Sequence, residues 1–338
     1  MVINVTEGQV WTTGPIPNFV LHADVFIIII YFVATIVGLP GNLLAVFYFT
    51  RPSVKKDLSS SLYIAVSLTD VALSIAQIPV IVSLVANRDD VLFSVNVICV
   101  GWRILFKSLQ RFSVFLVLLL SVSRTVSLVQ PLSKVNRICA LRIMYGYVGY
   151  IILETAIFGS MESFSYDRTG GYCYENGKEP TSTIYNSLYV ITLGVPALAT
   201  FVSFILSTLA IRKSMRCSRT LSCGGLSQGR CSRDSIKKQA TNTIMIFTFT
   251  YIICNLPHFI NMIMWIITMS LECGKSSCYP GPLYNNDFMY WFSWNISEVL
   301  SVIINMACNP VIYYFRISQY KQWVSETRLL RKVNRFLQ

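Results

Sequence analysis

The chain has 338 residues, of which 54% are hydrophobic and 13% are charged. An average soluble domain has about 25% charged residues, so this composition excludes a disordered chain and a large soluble enzyme, and it indicates a polytopic membrane protein. The net charge of +12 would suit a nucleic-acid-binding protein. That function needs a basic face on a soluble fold, and the hydrophobicity rules such a fold out.

Seven apolar stretches are each long enough to cross a bilayer as a helix, which takes about 20 residues. In chain order they cover residues 24–49, 60–85, 97–129, 141–161, 185–211, 240–269 and 288–315. None has the alternating pattern of membrane barrel strands. The sequence therefore predicts an all-α fold: an N-terminal segment at 1–23, a seven-transmembrane helix bundle at 24–315 and a tail at 316–338.

Basic residues are divided unevenly between the two sets of loops. One set, together with the C-terminal segment, holds twenty of them, and the other set holds four. Because cytoplasmic loops are enriched in Lys and Arg, the N-terminus is predicted outside the cell at the plasma membrane. In the segment after Phe315, helical spacing would place Tyr320, Trp323 and Val324 on one helix face. This pattern predicts an amphipathic helix along the inner membrane surface.

The predicted exterior carries modification signals. Asn4 begins an Asn-Val-Thr glycosylation acceptor. Cys99 lies at the outer start of span three, and Cys173 lies in the loop between spans four and five. Both would face an oxidising compartment, so a disulfide between them is expected. Cys273 and Cys278 share another exterior loop and form a second candidate pair.

Polar side chains occur inside the predicted spans, where ionisable groups are costly. Asp70 lies in the middle of span two, Asn42 in span one, Ser113 in span three, and Asn305 and Asn309 in span seven. If they converge, they form a polar pocket whose oxygens could hold a monovalent cation. The alternative is a purely structural hydrogen-bond network. The spacing of these residues alone favours the structural network over the ion site.

Span three also carries Arg103, Lys107 and Arg111 at intervals of four residues, along one slowly turning helix face. Either Lys107 receives an anionic ligand group, or the cations pair internally with Glu154 or Glu298. Internal pairing is favoured for Arg111, which lies deeper in the bundle, and both interpretations stay open for Lys107. The candidate ligand-contacting residues are Arg103, Phe106, Lys107, Gln110, Asn255 and Glu298.

Several short motifs occur in matching spans and in matching order. They are Gly41-Asn42, Ser-Leu-Thr-Asp at 67–70, Cys99 placed 25 residues before Arg124, Pro196, Cys-Asn-Leu-Pro at 254–257 and Asn-Pro-Val-Ile-Tyr at 309–313. With this set the chain resembles the rhodopsin-like (class A) G-protein-coupled receptors over residues 24–325. The resemblance implies a non-enzymatic receptor that binds an extracellular neuropeptide or small anionic, chemosensory molecule and activates heterotrimeric G proteins.

The resemblance also implies roles for individual residues. Asp70, Ser113, Asn305 and Asn309 fall on the family's sodium pocket, which makes an allosteric sodium ion as well supported as the structural network. No other cofactor is expected. The residues expected to form the activation switch are Arg124, Pro196, Tyr251, Pro257, Pro310 and Tyr313.

The chain departs from the family pattern at informative positions. Ser123 stands where the family has an acid beside its arginine, and Asn255 stands where it has a tryptophan. Ser123 cannot form the charged pair that restrains Arg124, which predicts raised ligand-free signalling unless another contact compensates. Span seven has no lysine, which disfavours a covalently bound retinal.

The main alternative is a transporter in which Asp70, Glu154, Glu298 and Arg111 relay ions or substrate. Against this, the two halves of the sequence show no internal repeat. Covalent catalysis is not indicated either, because His22 and His258 stand alone without metal-ligand spacing.

Overall fold

The computed structural model describes residues 18–54, 58–86, 96–129, 137–158, 164–167, 172–175, 180–221, 242–261, 263–264, 296–297, 300–301 and 305–326. The helices are α1 (Asn18–Phe49), α2 (Leu58–Ala86), α3 (Asn96–Val129), α4 (Arg137–Phe158), α5 (Pro180–Leu221), α6 (Asn242–Asn261), α7 (Asn305–Arg316) and α8 (Ser318–Glu326). Between α4 and α5, strands β1 (Phe164–Asp167) and β2 (Tyr172–Glu175) pair antiparallel as a short hairpin.

Six of the described helices, α1 to α6, are long and apolar enough to cross a membrane. They correspond to the first six predicted spans. The seventh predicted span is described chiefly in its last part, as α7. α5 runs on to Leu221, beyond the predicted end of its span at Ile211. α8 follows α7 after one residue and is the predicted amphipathic helix.

The helix bundle exposes apolar side chains on its surface and buries polar ones in its interior, as a membrane protein requires. Phe47, Ile152 and Leu198 are each 64% exposed on the helix surfaces, whereas Asp70 and Arg111 are buried. Apolar side chains on the outside have no unfavourable contact with lipid, and polar groups inside the bundle find partners there. The exposed apolar surface is therefore the surface that faces lipid.

The helices pack in an order that places α3 near the centre. α1 packs against α2 and α7, α2 against α3, and α3 against α5, while α8 packs on α7. Glycines allow close approaches: a Cβ at Gly41 would lie 2.7 Å from Pro310, and one at Gly194 would overlap the Phe259 ring. Small residues at such points let helices pack tightly within a membrane.

The ends of α3 define two halves of the bundle. The β1–β2 hairpin packs against α3. We call the half that contains the start of α3 the hairpin half, and the half that contains its end and α8 the α8 half.

Candidate functional site

The hairpin half of α3 buries Phe106, Lys107 and Gln110. The Lys107 ammonium group lies over two rings of α5, 4.8 Å from the centroid of Tyr189 and 5.5 Å from that of Tyr185. Aromatic faces attract cations, and the attraction is stronger where water is excluded. Sequence reasoning missed these two tyrosines, although their spacing of four residues places them on one face of α5.

Arg103 contacts a different neighbour from Lys107. Its guanidinium lies 5.1 Å from the Trp102 ring. Trp102 stacks on Phe106 at 5.6 Å, and its indole nitrogen donates a 2.7 Å hydrogen bond to the Ala76 carbonyl of α2. These contacts place Arg103 beside Trp102 rather than beside the tyrosines that surround Lys107. The predicted basic stripe is therefore divided between two environments.

Arg111 and Glu154 form a buried ion pair between α3 and α4. Nη1 of the arginine donates to Oε1 of the glutamate at 2.5 Å, and both side chains are almost fully buried. The guanidinium also lies 5.7 Å from the ring centroids of both Tyr185 and Tyr189. The structure thus contains the internal pairing that was favoured for Arg111. The other proposed partner, Glu298, lies outside the described residues.

A chain of hydrogen bonds crosses the bundle just below Lys107. The Tyr189 hydroxyl donates to Oε1 of Gln110 at 2.5 Å, and Nε2 of Gln110 donates to the Ser301 hydroxyl at 3.4 Å. The chain connects α5 to α3 and α3 to the segment before α7. The Tyr189 ring also lies under the Lys107 ammonium group, so Lys107 and Gln110 share this tyrosine as a neighbour.

Below this chain lies a small cavity beside Asp70, with a volume of about 10 Å³. That is about the least space that one water needs. Its lining residues are Asp70, Leu73, Gln110, Ser113, Val114, Tyr251, Asn255, Ser301 and Asn305. Asn309 donates a 2.6 Å hydrogen bond to Oδ2 of Asp70, whereas Oδ1 has no partner among the described residues. The structure therefore brings the four predicted sodium-pocket residues together.

Asn42 lies outside the Asp70 cavity, whereas Asn255 lines it. The Asn42 amide donates to the backbone carbonyls of Gly38 and Met306, at 2.9 and 3.0 Å, so it joins α1 to α7 and does not line the Asp70 cavity. Asn255 donates to the Tyr251 carbonyl at 2.9 Å. Both residues of that pair line the Asp70 cavity. Asn255 is therefore placed deeper than Lys107, at the floor of the candidate ligand site.

An aromatic cluster holds α8 against the bundle, formed by Tyr48, Phe49, Tyr63, Phe247, Tyr313, Tyr320 and Trp323. Tyr313, the predicted switch residue, is fully buried with its ring 5.2 Å from Tyr63 and 5.4 Å from Phe49. Tyr320 of α8 lies 5.1 Å from Tyr48. Burial raises the pKa of the Tyr320 phenol to about 12, so it stays neutral at physiological pH.

A second polar cluster joins α3 to α5 in the α8 half, and sequence reasoning missed it. This hydroxyl cluster consists of Ser121, Thr125, Ser203 and Ser207, all buried. The Thr125 hydroxyl lies 2.6 Å from that of Ser203 and 2.7 Å from that of Ser207. The four-residue spacing within each helix was the available signal, because it places each pair on one helix face.

The remaining predicted switch residues are described in part. Pro196 and Pro310 are buried inside α5 and α7, and Pro257 is partly buried in α6. Arg124 lies on α3, with its side chain outside the described part of the chain. The same holds for the side chains of Cys99 on α3 and Cys173 on β2. Two further predictions, the glycosylation site at Asn4 and the cysteine pair at 273 and 278, fall on residues that are not described.

Comparison with known proteins identifies the family. The chain matches the family model of the 7 transmembrane receptor (rhodopsin family) over residues 41–313. No curated protein sequence matches it. Its fold is similar to the crystal structure of squid rhodopsin, with a TM-score of 0.68 and 12% identity over 93% of this chain and 87% of that one. That likeness concerns the fold alone.

Because the family model covers most of the chain, the protein belongs to the rhodopsin family of seven-transmembrane receptors. It is a multi-pass membrane protein and a signalling receptor rather than an enzyme. The predicted family, the all-α fold class and the non-enzymatic role are confirmed.

Proposed function

We propose that this protein is a plasma-membrane receptor, with its N-terminus outside, that binds an extracellular ligand and activates a heterotrimeric G protein. The observation that carries the proposal is the buried polar path between the two halves of the bundle. It runs from Lys107 over the Tyr189 ring to Gln110 and Ser301, which also line the Asp70 cavity. A ligand that moves Lys107 thereby changes contacts on α5, on α3 and before α7.

The proposed ligand carries an acidic group, as a small carboxylate or an acidic peptide does. Two cations of α3, Lys107 and Arg111, are buried in this region, and Arg111 has its charge paired with Glu154. Lys107 lies over the rings of Tyr185 and Tyr189, in an aromatic environment that attracts cations. A ligand carboxylate beside its ammonium group would add a charge–charge attraction that is worth more in a site of low dielectric.

The Asp70 cavity has the donor set for a monovalent cation. Oδ1 of Asp70 is buried without a partner among the described residues, and the Ser113 hydroxyl and the Asn305 amide line the same space. Hard cations prefer such oxygen ligands. Asp70, Ser113 and Asn305 would hold a sodium ion, with Asn309 orienting the carboxyl group. Bound there, the ion would neutralise the buried carboxylate and favour the state that closes around it.

The test is G-protein activation in cells that express the full chain, with a panel of small carboxylates and acidic peptides as probes. We expect at least one probe to activate, and Lys107→Met to lose that response while its surface amount is unchanged. Thr69→Val is the matched control, because Thr69 is buried but bonds only the Ala65 carbonyl of its own helix. It should keep the response.

A flux assay on the same cells tests the transporter alternative. The pairing of Arg111 with Glu154 within the bundle gives that alternative no structural support. Probe-dependent ion flux without G-protein activation would refute the proposed function. Activation by neutral or cationic probes alone would refute the acidic-ligand part of it.

A further inference from the structure

The hydroxyl cluster is a dense contact between α3 and α5. The Thr125 hydroxyl oxygen lies within hydrogen-bond distance of four oxygens: the carbonyls of Ser121 and Ser203, at 3.0 and 3.2 Å, and the hydroxyls of Ser203 and Ser207. The Ser121 hydroxyl donates to that of Ser203 at 3.0 Å. A single side chain of α3 thus connects two successive turns of α5.

The position of Thr125 links this cluster to the activation switch. Thr125 directly follows Arg124 and lies in the last turns of α3, which ends at Val129. The acid that would restrain Arg124 in the family is Ser123, whose hydroxyl donates to the Leu120 carbonyl of its own helix at 2.8 Å. Next to Ser123, which has no charge to offer Arg124, the structure therefore has a neutral contact between helices.

Such a contact is either formed or broken as the two helices approach or separate. If α3 and α5 separate, these buried hydroxyl groups lose partners that lipid hydrocarbon cannot replace. Measured interhelical hydrogen bonds in membranes are weak enough for several of them to be broken reversibly. A cluster of this kind can therefore bias a conformational equilibrium severalfold without locking it.

We propose that Thr125 is a positioning residue that clamps α3 to α5 and holds the α8 half of the bundle in the state that does not activate the G protein. The clamp takes the place of the charged pair that Ser123 cannot form. This inference rests on the proposed function, since it concerns how ligand-free activation is restrained.

Thr125→Val tests the clamp, because valine keeps the branched shape and removes the hydroxyl. We expect ligand-free G-protein activation to rise about threefold to tenfold at matched surface amount, the change that loss of hydrogen bonds of this strength produces. Thr125→Ser keeps a hydroxyl and should stay within about twofold of the wild type. Thr200→Val is the matched control, since the hydrogen bond that buried Thr200 makes within the described part of the chain goes to the Pro196 carbonyl of α5 itself.

Hydrogen exchange of the full chain in lipid nanodiscs provides a readout that does not depend on the G protein. Thr125→Val should exchange faster at 121–129 and 203–211, and Thr200→Val should not. Unchanged or decreased ligand-free activation in Thr125→Val, in a chain whose wild type does activate, overturns the clamp. If the wild type activates no G protein, the proposed function fails, and unchanged exchange in Thr125→Val then overturns the clamp separately.

Discussion

The two halves of α3 are joined to their neighbours by different chemistry. In the hairpin half, α3 uses charge: Arg111 pairs with Glu154 of α4, and Lys107 lies over tyrosine rings of α5. In the α8 half, the described contacts of α3 with α5 are neutral and run through Thr125 and its serine partners. One helix therefore carries a charged anchor and a neutral clamp.

The ion pair and the hydroxyl cluster differ in the free-energy cost of breaking them. Separating a buried ion pair leaves an uncompensated charge in a medium of low dielectric, which is strongly unfavourable. Separating hydroxyl groups leaves neutral dipoles, and each lost hydrogen bond costs much less. The charged anchor suits a part of the receptor that must stay assembled, and the hydroxyl cluster suits a part that must open and close. The predictions below test this division, from the largest expected effect to the smallest.

Arg111→Met should have the largest effect, because it leaves Glu154 buried without its partner. Breaking a buried ion pair on one side costs about 3–5 kcal/mol. We expect a large loss of surface expression and a lower unfolding temperature for the protein purified in detergent.

The double variant Arg111→Met with Glu154→Leu is the control, since it removes both charges. It should recover most of the lost stability, because apolar side chains of similar volume replace such pairs at little cost. If Arg111→Met unfolds at the temperature of the wild type, the pair does not anchor α3 to α4.

Tyr320→Ala should have the next largest effect, on the docking of α8. The Tyr320 ring is buried, 5.1 Å from Tyr48 and 6.3 Å from Tyr313, and removing a buried ring costs about 3 kcal/mol. Hydrogen exchange over 318–326 should speed up markedly. Tyr320→Phe keeps the ring and should exchange as the wild type does; equal exchange in both variants would mean that α8 is held by other contacts.

Much of this organisation could be predicted from the sequence. Hydropathy alone locates the spans, because each needs an apolar stretch of membrane length, and the motifs around Asn309 and Asp70 indicate the receptor family. The convergence of Asp70 with Asn309 follows from these motifs. The pairing of Arg111 with Glu154 was one of two possibilities, and the helix packing selected it.

The rest depends on rotation of one helix against another, which the sequence does not specify. Ser203 and Ser207 share a face of α5, but whether that face meets α3 or lipid depends on how α5 is rotated in the bundle. Tyr185 and Tyr189 pose the same problem about five turns earlier along the same helix. Serine and tyrosine are common in spans, so their spacing alone does not distinguish a contact from a lipid-facing position.

Asp70→Asn tests the proposed binding of sodium at the Asp70 cavity, for which we expect an effect of intermediate size. The wild type should unfold at a higher temperature in sodium chloride than in choline chloride at equal ionic strength, and Asp70→Asn should lose the difference. A ligand at about ten times its dissociation constant stabilises by about 1.4 kcal/mol. Thr208→Val, which removes a hydrogen bond to the Phe204 carbonyl of α5 and does not line the cavity, should keep the sodium effect. No sodium effect in the wild type would make the cavity purely structural.

The smallest effect is expected from Ser123→Asp in the otherwise unchanged chain. The new carboxylate would offer Arg124 a charged acceptor, and a hydrogen bond to a charged group contributes about 1.5–3 kcal/mol where nothing else restrains the arginine. If the hydroxyl cluster already holds α3 against α5, the added restraint has little left to do, and ligand-free signalling should fall less than about threefold, or about 0.7 kcal/mol. In the Thr125→Val background the same substitution should lower signalling by about tenfold, because the clamp is absent.

Signalling is compared at matched surface expression in all four members of this double-mutant cycle. Equal decreases in both backgrounds would mean that the neutral clamp and the charged pair act independently, and that the two do not substitute for one another.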